Sequence, residues 1–324
     1  MEIIFQIALL IIGFIILIKG ADWLVDGASS IAANFKVSKT LIGLTVVAFG
    51  TSAPELAVSI SSLISGSSEM LLGNVIGSNI INVLLLIGIG ALICPIKVSR
   101  DTVKKELPIL LLISTAIVVL FLDIPLANAN IDEITRSDAI ICLLFFCIFL
   151  YYLIVMAKRN RETKATKAEK PKYKLGKSFL FAIIGLAGLV LGSQFVVHSA
   201  SFLASAIGVS DRVIALTVIA LGTSLPELVT TIVAARHKET DLIVGNIIGS
   251  NIFNICIVMG IPVAIFGTIT PESFQMIDLF MLIFSTILLF LLTRKDHKIS
   301  RTEGALLLAI FAIYYGYIAY GALA

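Results

Sequence analysis

The chain repeats itself. Shifted by 172 residues it lies on its own sequence without a gap: Gly13 falls on Gly185, Gly20 on Gly192, and Val37-Ser38 on Val209-Ser210. Over positions 41–90, 22 of 50 residues recur in the second copy. The identities gather in two strings, LTVVAFGTSAPEL with LTVIALGTSLPEL, and GNVIGSNIIN with GNIIGSNIFN. Each copy holds five long apolar stretches. Five is odd, so if every stretch crosses a membrane the second copy must enter it upside down relative to the first.

Composition supports the membrane. Of 324 residues, 58% are hydrophobic and 14% charged, against about 25% charged in soluble domains. A helix needs about 20 apolar residues to cross the hydrocarbon core. The sequence predicts ten such spans, near 3–19, 39–64, 70–95, 107–123, 137–157, 178–197, 209–235, 241–266, 274–292 and 302–322. The fold class is therefore an all-α membrane protein, ten transmembrane helices arranged as two inverted five-helix repeats. The repeats occupy residues 1–157 and 178–324. Between them the basic loop KRNRETKATKAEKPKYKLGK, 158–177, carries nine Lys or Arg. With that loop in the cytoplasm, alternation puts 22 of the 24 basic residues inside and leaves Arg136 and Arg212 outside. The positive-inside rule predicts such a bias, and it places both termini outside a multi-pass cell-membrane protein. The N-terminus lacks a basic n-region and cleavage site, so it reads as a retained first span. Cys94, Cys142, Cys147 and Cys256 lie in apolar segments without C-x-x-C spacing, which predicts free packing thiols.

Glu55 and Glu227 stand apart from the other acidic residues. Both fall mid-span, in the second helix of each repeat, with no Lys or Arg at the same depth. A carboxylate at the bilayer centre is costly and marks an ion or proton path. Pro54 and Pro226 supply no N–H, so backbone carbonyls one turn earlier, near Gly50-Thr51 and Gly222-Thr223, lose their helical donors. Thr51, Ser52, Thr223 and Ser224 add hydroxyls. In the third span of each repeat Ser78 and Asn82 lie at i, i+4, as do Ser250 and Asn254, so each pair faces one way. Asn74 and Asn246 sit one turn back on much the same face. An all-oxygen shell with two carboxylates suits hard cations such as Ca²⁺ and Na⁺. No His or Cys joins it, which argues against Zn²⁺ and Cu⁺. Inverted repeats with binding residues on interrupted midplane helices are the build of secondary transporters.

At GTSAPEL…GNVIGSNIIN and GTSLPELVT…GNIIGSNIFN the sequence resembles the calcium/cation antiporter superfamily, within it the sodium/calcium exchangers. The resemblance covers nearly the whole chain, and the family's alpha repeats correspond to 39–90 and 211–262. It implies ion ligands at Thr51, Ser52, Glu55, Ser78 and Asn82, then Thr223, Ser224, Glu227, Ser250 and Asn254. The backbone carbonyls of Ala48 and Ala220 join them. It further implies a Ca²⁺ site between Glu55 and Glu227 flanked by Na⁺ sites, with three Na⁺ exchanged for one Ca²⁺. One position departs: many microbial and potassium-dependent relatives have Asp where this chain has Asn254, whereas animal exchangers have Asn. The 158–177 loop is too short for the calcium-sensing domains of animal exchangers.

The expected activity is Na⁺/Ca²⁺ antiport, with Ca²⁺ and Na⁺ as transported substrates rather than cofactors. The alternatives are exchange driven by H⁺, co-transport of K⁺, or, from another class, a cation channel. The inverted repeat disfavours the channel, because filters are commonly rings of like subunits about the membrane normal. No nucleophile–base pair points to an enzyme, and no feature points to nucleic acid. The bilayer is the expected surrounding, and the chain is expected to work as a monomer.

Overall fold

The protein is described by a computed structural model covering residues 2–124, 131–163, 171–208, 220–270 and 276–323. These residues are helical almost throughout. The helices are α1, Glu2–Phe35; α2, Lys39–Thr51; α3, Ala53–Ile64; α4, Ser68–Ile93; α5, Leu107–Leu120; and α6, Arg136–Thr163. They continue with α7, Leu175–Ala206; α8, Ala220–Thr223; α9, Leu225–Arg236; α10, Thr240–Phe266; α11, Met276–Asp296; and α12, Arg301–Leu323. Among the described residues, α1, α4, α6, α7, α10 and α11 are long and apolar enough to cross a membrane; the bent pair α2–α3 makes a seventh. The expected 107–123 span appears as the 14-residue α5 behind a π-helical turn, Thr102–Glu106. The expected 209–235 span falls in part outside the described residues.

The first span is far longer than its apolar run. The sequence predicts a crossing over 3–19, yet α1 has 34 residues, about 51 Å at the helical rise. Nothing in ADWLVDGASSIAANF breaks a helix, and its acids find partners. Asp26 pairs with Lys172 at 2.6 Å, and His237 approaches Asp22 at 3.6 Å. The Asp26 hydrogen bond raises the Lys172 ammonium above its ordinary pKa. The helix stops in a Schellman turn, with Lys36 at φ 57 and the Val37 N–H on the Ala32 carbonyl at 3.0 Å.

Two glycine-lined contacts set the helix arrangement. Along α1 and α7, Gly13 meets the Gly192 carbonyl, Gly20 meets Gly185, and Gly27 meets Ser178. One number rises as the other falls, so the two helices run antiparallel. Their backbones nearly touch: a Cβ on Gly185 would lie 2.5 Å from the Leu24 nitrogen. The second contact is between α2 and α10, which cross in a parallel sense. There a Cβ on Gly245 would lie 2.4 Å from the Thr40 carbonyl oxygen, and Gly249 abuts Leu44 and Ala48. The N-termini of these two helices are tied by Lys39 to Glu239 at 2.9 Å, and Ser38 caps α2 by accepting from the Leu41 N–H. Gly73, which the 172-residue shift lays on Gly245, is instead exposed on α4.

Smaller features close the ends. A two-residue antiparallel pair, β1 (Ile96–Lys97) with β2 (Lys298–Ile299), joins the end of α4 to the start of α12. All four cysteines are free thiols: Cys142 and Cys256 are buried, Cys94 is half-buried, and Cys147 lies exposed on α6. Glu106 is fully buried beside α6, where the Tyr152 hydroxyl donates to its Oε1. Tyr152→Phe should strand that carboxyl and cost about 1–3 kcal/mol, checked as a lowered thermal midpoint in detergent.

Candidate ion-binding site

The two proline signatures build matching breaks. Ser52 (φ −86, ψ 9) and Ser224 (φ −87, ψ 5) leave helical geometry, and Pro54 and Pro226 sit in the first turns of α3 and α9. At the first break the axes of α2 and α3 diverge by 42°. Proline cannot donate to the carbonyl four residues back, and serine at the bend places a hydroxyl there. Each break thus sets a Glu on the first turn of the following helix, Glu55 on α3 and Glu227 on α9.

α4 and α10 supply the facing amides. In each, a π-helical turn begins at the candidate ligand: Asn82–Leu86 in α4 and Asn254–Met259 in α10. Such turns loosen the i→i−4 ladder and recur at functional sites. Phe49, on α2, stacks on Phe253 with ring centroids 4.9 Å apart, and Phe146 meets Phe253 edge-on at 6.1 Å. That aromatic group walls the residue beside Asn254.

The structure links the two halves of the sequence at several of the predicted positions. The Ser52 hydroxyl donates to Glu227 Oε1 at 3.0 Å, across the repeat boundary. The Thr51 hydroxyl lies 3.3 Å from Asn246 Oδ1 and 3.5 Å from the Ala48 carbonyl. The Asn74 amide donates to the Glu55 backbone carbonyl at 2.9 Å and to Ser59 Oγ at 3.0 Å. Asn82 Nδ2 donates to Asn251 Oδ1 at 2.9 Å. The carboxyl groups of Glu55 and Glu227 are near enough to interact electrostatically.

Burial is nearly complete. Ala48, Thr51, Ser52, Glu55, Ser78, Asn82, Ser224, Glu227, Ser250 and Asn254 are all buried, Glu55 and Glu227 each at 1% exposure. Thr223 is half-buried, and Ala220 opens α8. Among the described residues, no hydrogen bond joins Ser78, Ser250, Asn254 or Ser224 directly to either carboxylate.

Oxygen lone pairs are left over. Among the described residues, Glu55 Oε2, Glu227 Oε2, Asn82 Oδ1, Ser224 Oγ, Ser250 Oγ and both polar atoms of the Asn254 amide are buried without a hydrogen-bond partner. Native interiors satisfy the large majority of such atoms, and these seven belong to residues of the two repeated signatures. The ion pairs among the described residues do not involve Glu55 or Glu227. Ser52 and Thr51 donate their protons to protein acceptors, which leaves hydroxyl lone pairs free to face a cation. No cluster of three His, Cys, Asp or Glu exists among the described residues. The donor set is hydroxyl, amide and two carboxylates, the ligand chemistry of hard cations.

Sequence reasoning missed Asn79, Asn251, Ser59, Thr230 and Thr231, all buried near these contacts. Asn79 and Asn251 carried a signal, since both belong to the repeated GSN strings. Each lies one residue off the i, i+4 pair of its own helix, Ser78 with Asn82 and Ser250 with Asn254.

The chain is similar to known membrane proteins over nearly its whole length. The profile of sodium/calcium exchanger proteins matches residues 5–155 and 177–320. The inner membrane protein YrbG of Escherichia coli is 36% identical over 95% of this chain and 94% of its own length. The sodium/calcium exchanger MaX1 of Methanosarcina acetivorans is 31% identical over 94% and 96%. The solved structure of the sodium-calcium exchanger NCX_Mj, soaked with zero Na⁺ and Ca²⁺, superposes with a TM-score of 0.83 at 32% identity, covering 98% of this chain and 99% of that one. Matched twice by the family profile and nearly end to end by these relatives, the chain belongs to the sodium/calcium exchanger protein family.

Proposed function

We propose that this chain is a secondary active antiporter that exchanges Na⁺ for Ca²⁺ across the cell membrane by alternating access. The ions bind at the midplane between Glu55 and Glu227. The observation that carries this reading is the hydrogen bond from Ser52 to Glu227 at 3.0 Å. It joins the two signatures around a pair of buried carboxylates that have no basic partner among the described residues. A bound cation supplies the missing counter-charge. The remaining ligands are the hydroxyls of Thr51, Ser52, Ser78, Thr223, Ser224 and Ser250, the amides of Asn82 and Asn254, and the carbonyls of Ala48 and Ala220.

The frame is ten helices in two inverted repeats, 1–157 and 178–324, joined by the cytoplasmic 158–177 loop. The α1–α7 seam supports it: Gly13 meets the repeat copy of Gly20, and Gly20 meets the copy of Gly13. That reciprocity is what a two-fold axis in the membrane plane produces. The paired profile matches, one on each side of the loop, support the same division. The positive-inside count places both termini outside, and one chain carries both halves of the site, so it works as a monomer.

Coupling follows from charge. One Ca²⁺ or two Na⁺ neutralise two carboxylates, and ions competing for the same oxygens move in opposite directions when only the filled site changes access. The test is uptake of labelled Ca²⁺ into liposomes bearing the protein and loaded with Na⁺, with K⁺, or with an acidic interior. An outward Na⁺ gradient should drive uptake. Uptake that followed the proton gradient alone would overturn the Na⁺ reading.

A further inference from the structure

We infer that Asn251 is a positioning residue, aiming the amide oxygen of Asn82 into the ion site from the opposite repeat. The inference rests on the site reading above and names how one of its ligands is held. The three residues involved, Asn79, Asn82 and Asn251, are each buried to 1% exposure or less. Asn82 Nδ2 donates to Asn251 Oδ1 at 2.9 Å, and Asn251 Nδ2 donates to the Asn79 backbone carbonyl at 3.3 Å.

The direction of this chain is forced by its last member. A backbone carbonyl only accepts. Asn251 must therefore turn its NH₂ toward Asn79, which turns its own oxygen toward Asn82. Asn82 must answer with its NH₂. Its oxygen then points away from Asn251, and that atom is the one left buried without a partner. Reversing either amide would set two acceptors face to face, so the usual ambiguity between amide oxygen and nitrogen is resolved by one carbonyl. The orientation of a ligand in the first repeat is fixed through a side chain of the second.

The second repeat does not return the arrangement. By the 172-residue shift, Asn79 should aim Asn254 as Asn251 aims Asn82. Instead the Asn79 amide donates to the Val75 carbonyl of its own helix at 2.6 Å. Asn79 Oδ1 and both polar atoms of Asn254 are left without described partners. Asn82 is thus a pre-oriented ligand, and Asn254 is one whose amide is free to turn. Pre-orientation removes the ordering cost from ion binding, so its loss acts on affinity rather than on maximal rate.

A double-mutant cycle in the liposome assay tests this, reading the Ca²⁺ concentration at half-maximal Na⁺-driven uptake. Asn82→Ala should raise it about tenfold, and Asn251→Leu by a similar factor, with the maximal rate of Asn251→Leu retained. The double variant should be no worse than Asn82→Ala alone, because Asn251 then has nothing to aim. Effects that multiply, a wild-type value for Asn251→Leu, or no effect of Asn82→Ala each overturn the inference. So does a fall in the maximal rate of Asn251→Leu alone. If Asn251→Leu does not fold, as judged by gel filtration, Asn251→Ala removes the same two contacts and carries the cycle. Wild-type protein in the same vesicles separates the two claims. No Na⁺-driven uptake there would remove the exchanger reading and this inference with it. Wild-type uptake combined with multiplying effects would remove the inference alone.

Discussion

Glu55→Gln and Glu227→Gln should each abolish Na⁺-driven Ca²⁺ uptake while leaving the protein folded. Glutamine keeps the shape of the side chain and an oxygen that accepts from Ser52, so the geometry at Glu227 survives. What disappears is one of the two charges that hold the cation. Removing one partner of a buried charge pair costs about 3–5 kcal/mol, which is roughly a 10²- to 10⁴-fold loss of ion affinity. Folding should not suffer, because a neutral amide is less costly to bury than a carboxylate. The expected signature is a normal gel-filtration profile and thermal midpoint with no uptake above empty liposomes. Full uptake by either variant would remove that carboxylate from the site.

Gly245→Val should be nearly as damaging, for a reason unrelated to charge. Its Cβ would lie 2.4 Å from the Thr40 carbonyl oxygen and 3.0 Å from the Leu44 nitrogen. Both obstacles are backbone, so no rotamer change relieves them, and α2 must move off α10. Overpacking of this kind costs about 1–3 kcal/mol and occasionally more. The displaced helix carries Thr51 and Ser52 at its end, so uptake should fall together with the thermal midpoint. Gly316→Ala is the control: it is an exposed position on α12 where an added Cβ meets nothing within 4 Å. That change should keep both midpoint and uptake. Wild-type behaviour of Gly245→Val would show that the α2–α10 crossing yields more easily than its geometry implies.

Part of this molecule is written plainly in its sequence. Pro54 and Pro226 announce helix breaks because proline has no N–H, and the backbone leaves helical geometry at Ser52 and Ser224. The apolar composition announces helices long enough for a membrane, and the repeated GTS-x-PEL strings announce a family. Other features depend on partners distant in sequence. Asp22 and Asp26 look like the end of a span, but Lys172 and His237 satisfy them and α1 runs on. The β1–β2 pair is two residues long and shows no alternation to read. Asn251 sits off the polar face of its own helix, and its importance is visible only once Asn82 and Asn79 stand beside it. A periodicity argument sees one helix at a time, and these contacts belong to two.

The unequal surroundings of Gly73 and Gly245 bear on how variation in this chain should be interpreted. Gly245 is wedged against Thr40, whereas Gly73, its counterpart in the repeat, is exposed. Taken by itself, Gly73 looks free to accept any small side chain. Under the proposed exchange of access the two halves trade environments within each transport cycle, so each position answers to both. On that reading Gly73→Val should leave the thermal midpoint unchanged and slow Na⁺-driven Ca²⁺ uptake.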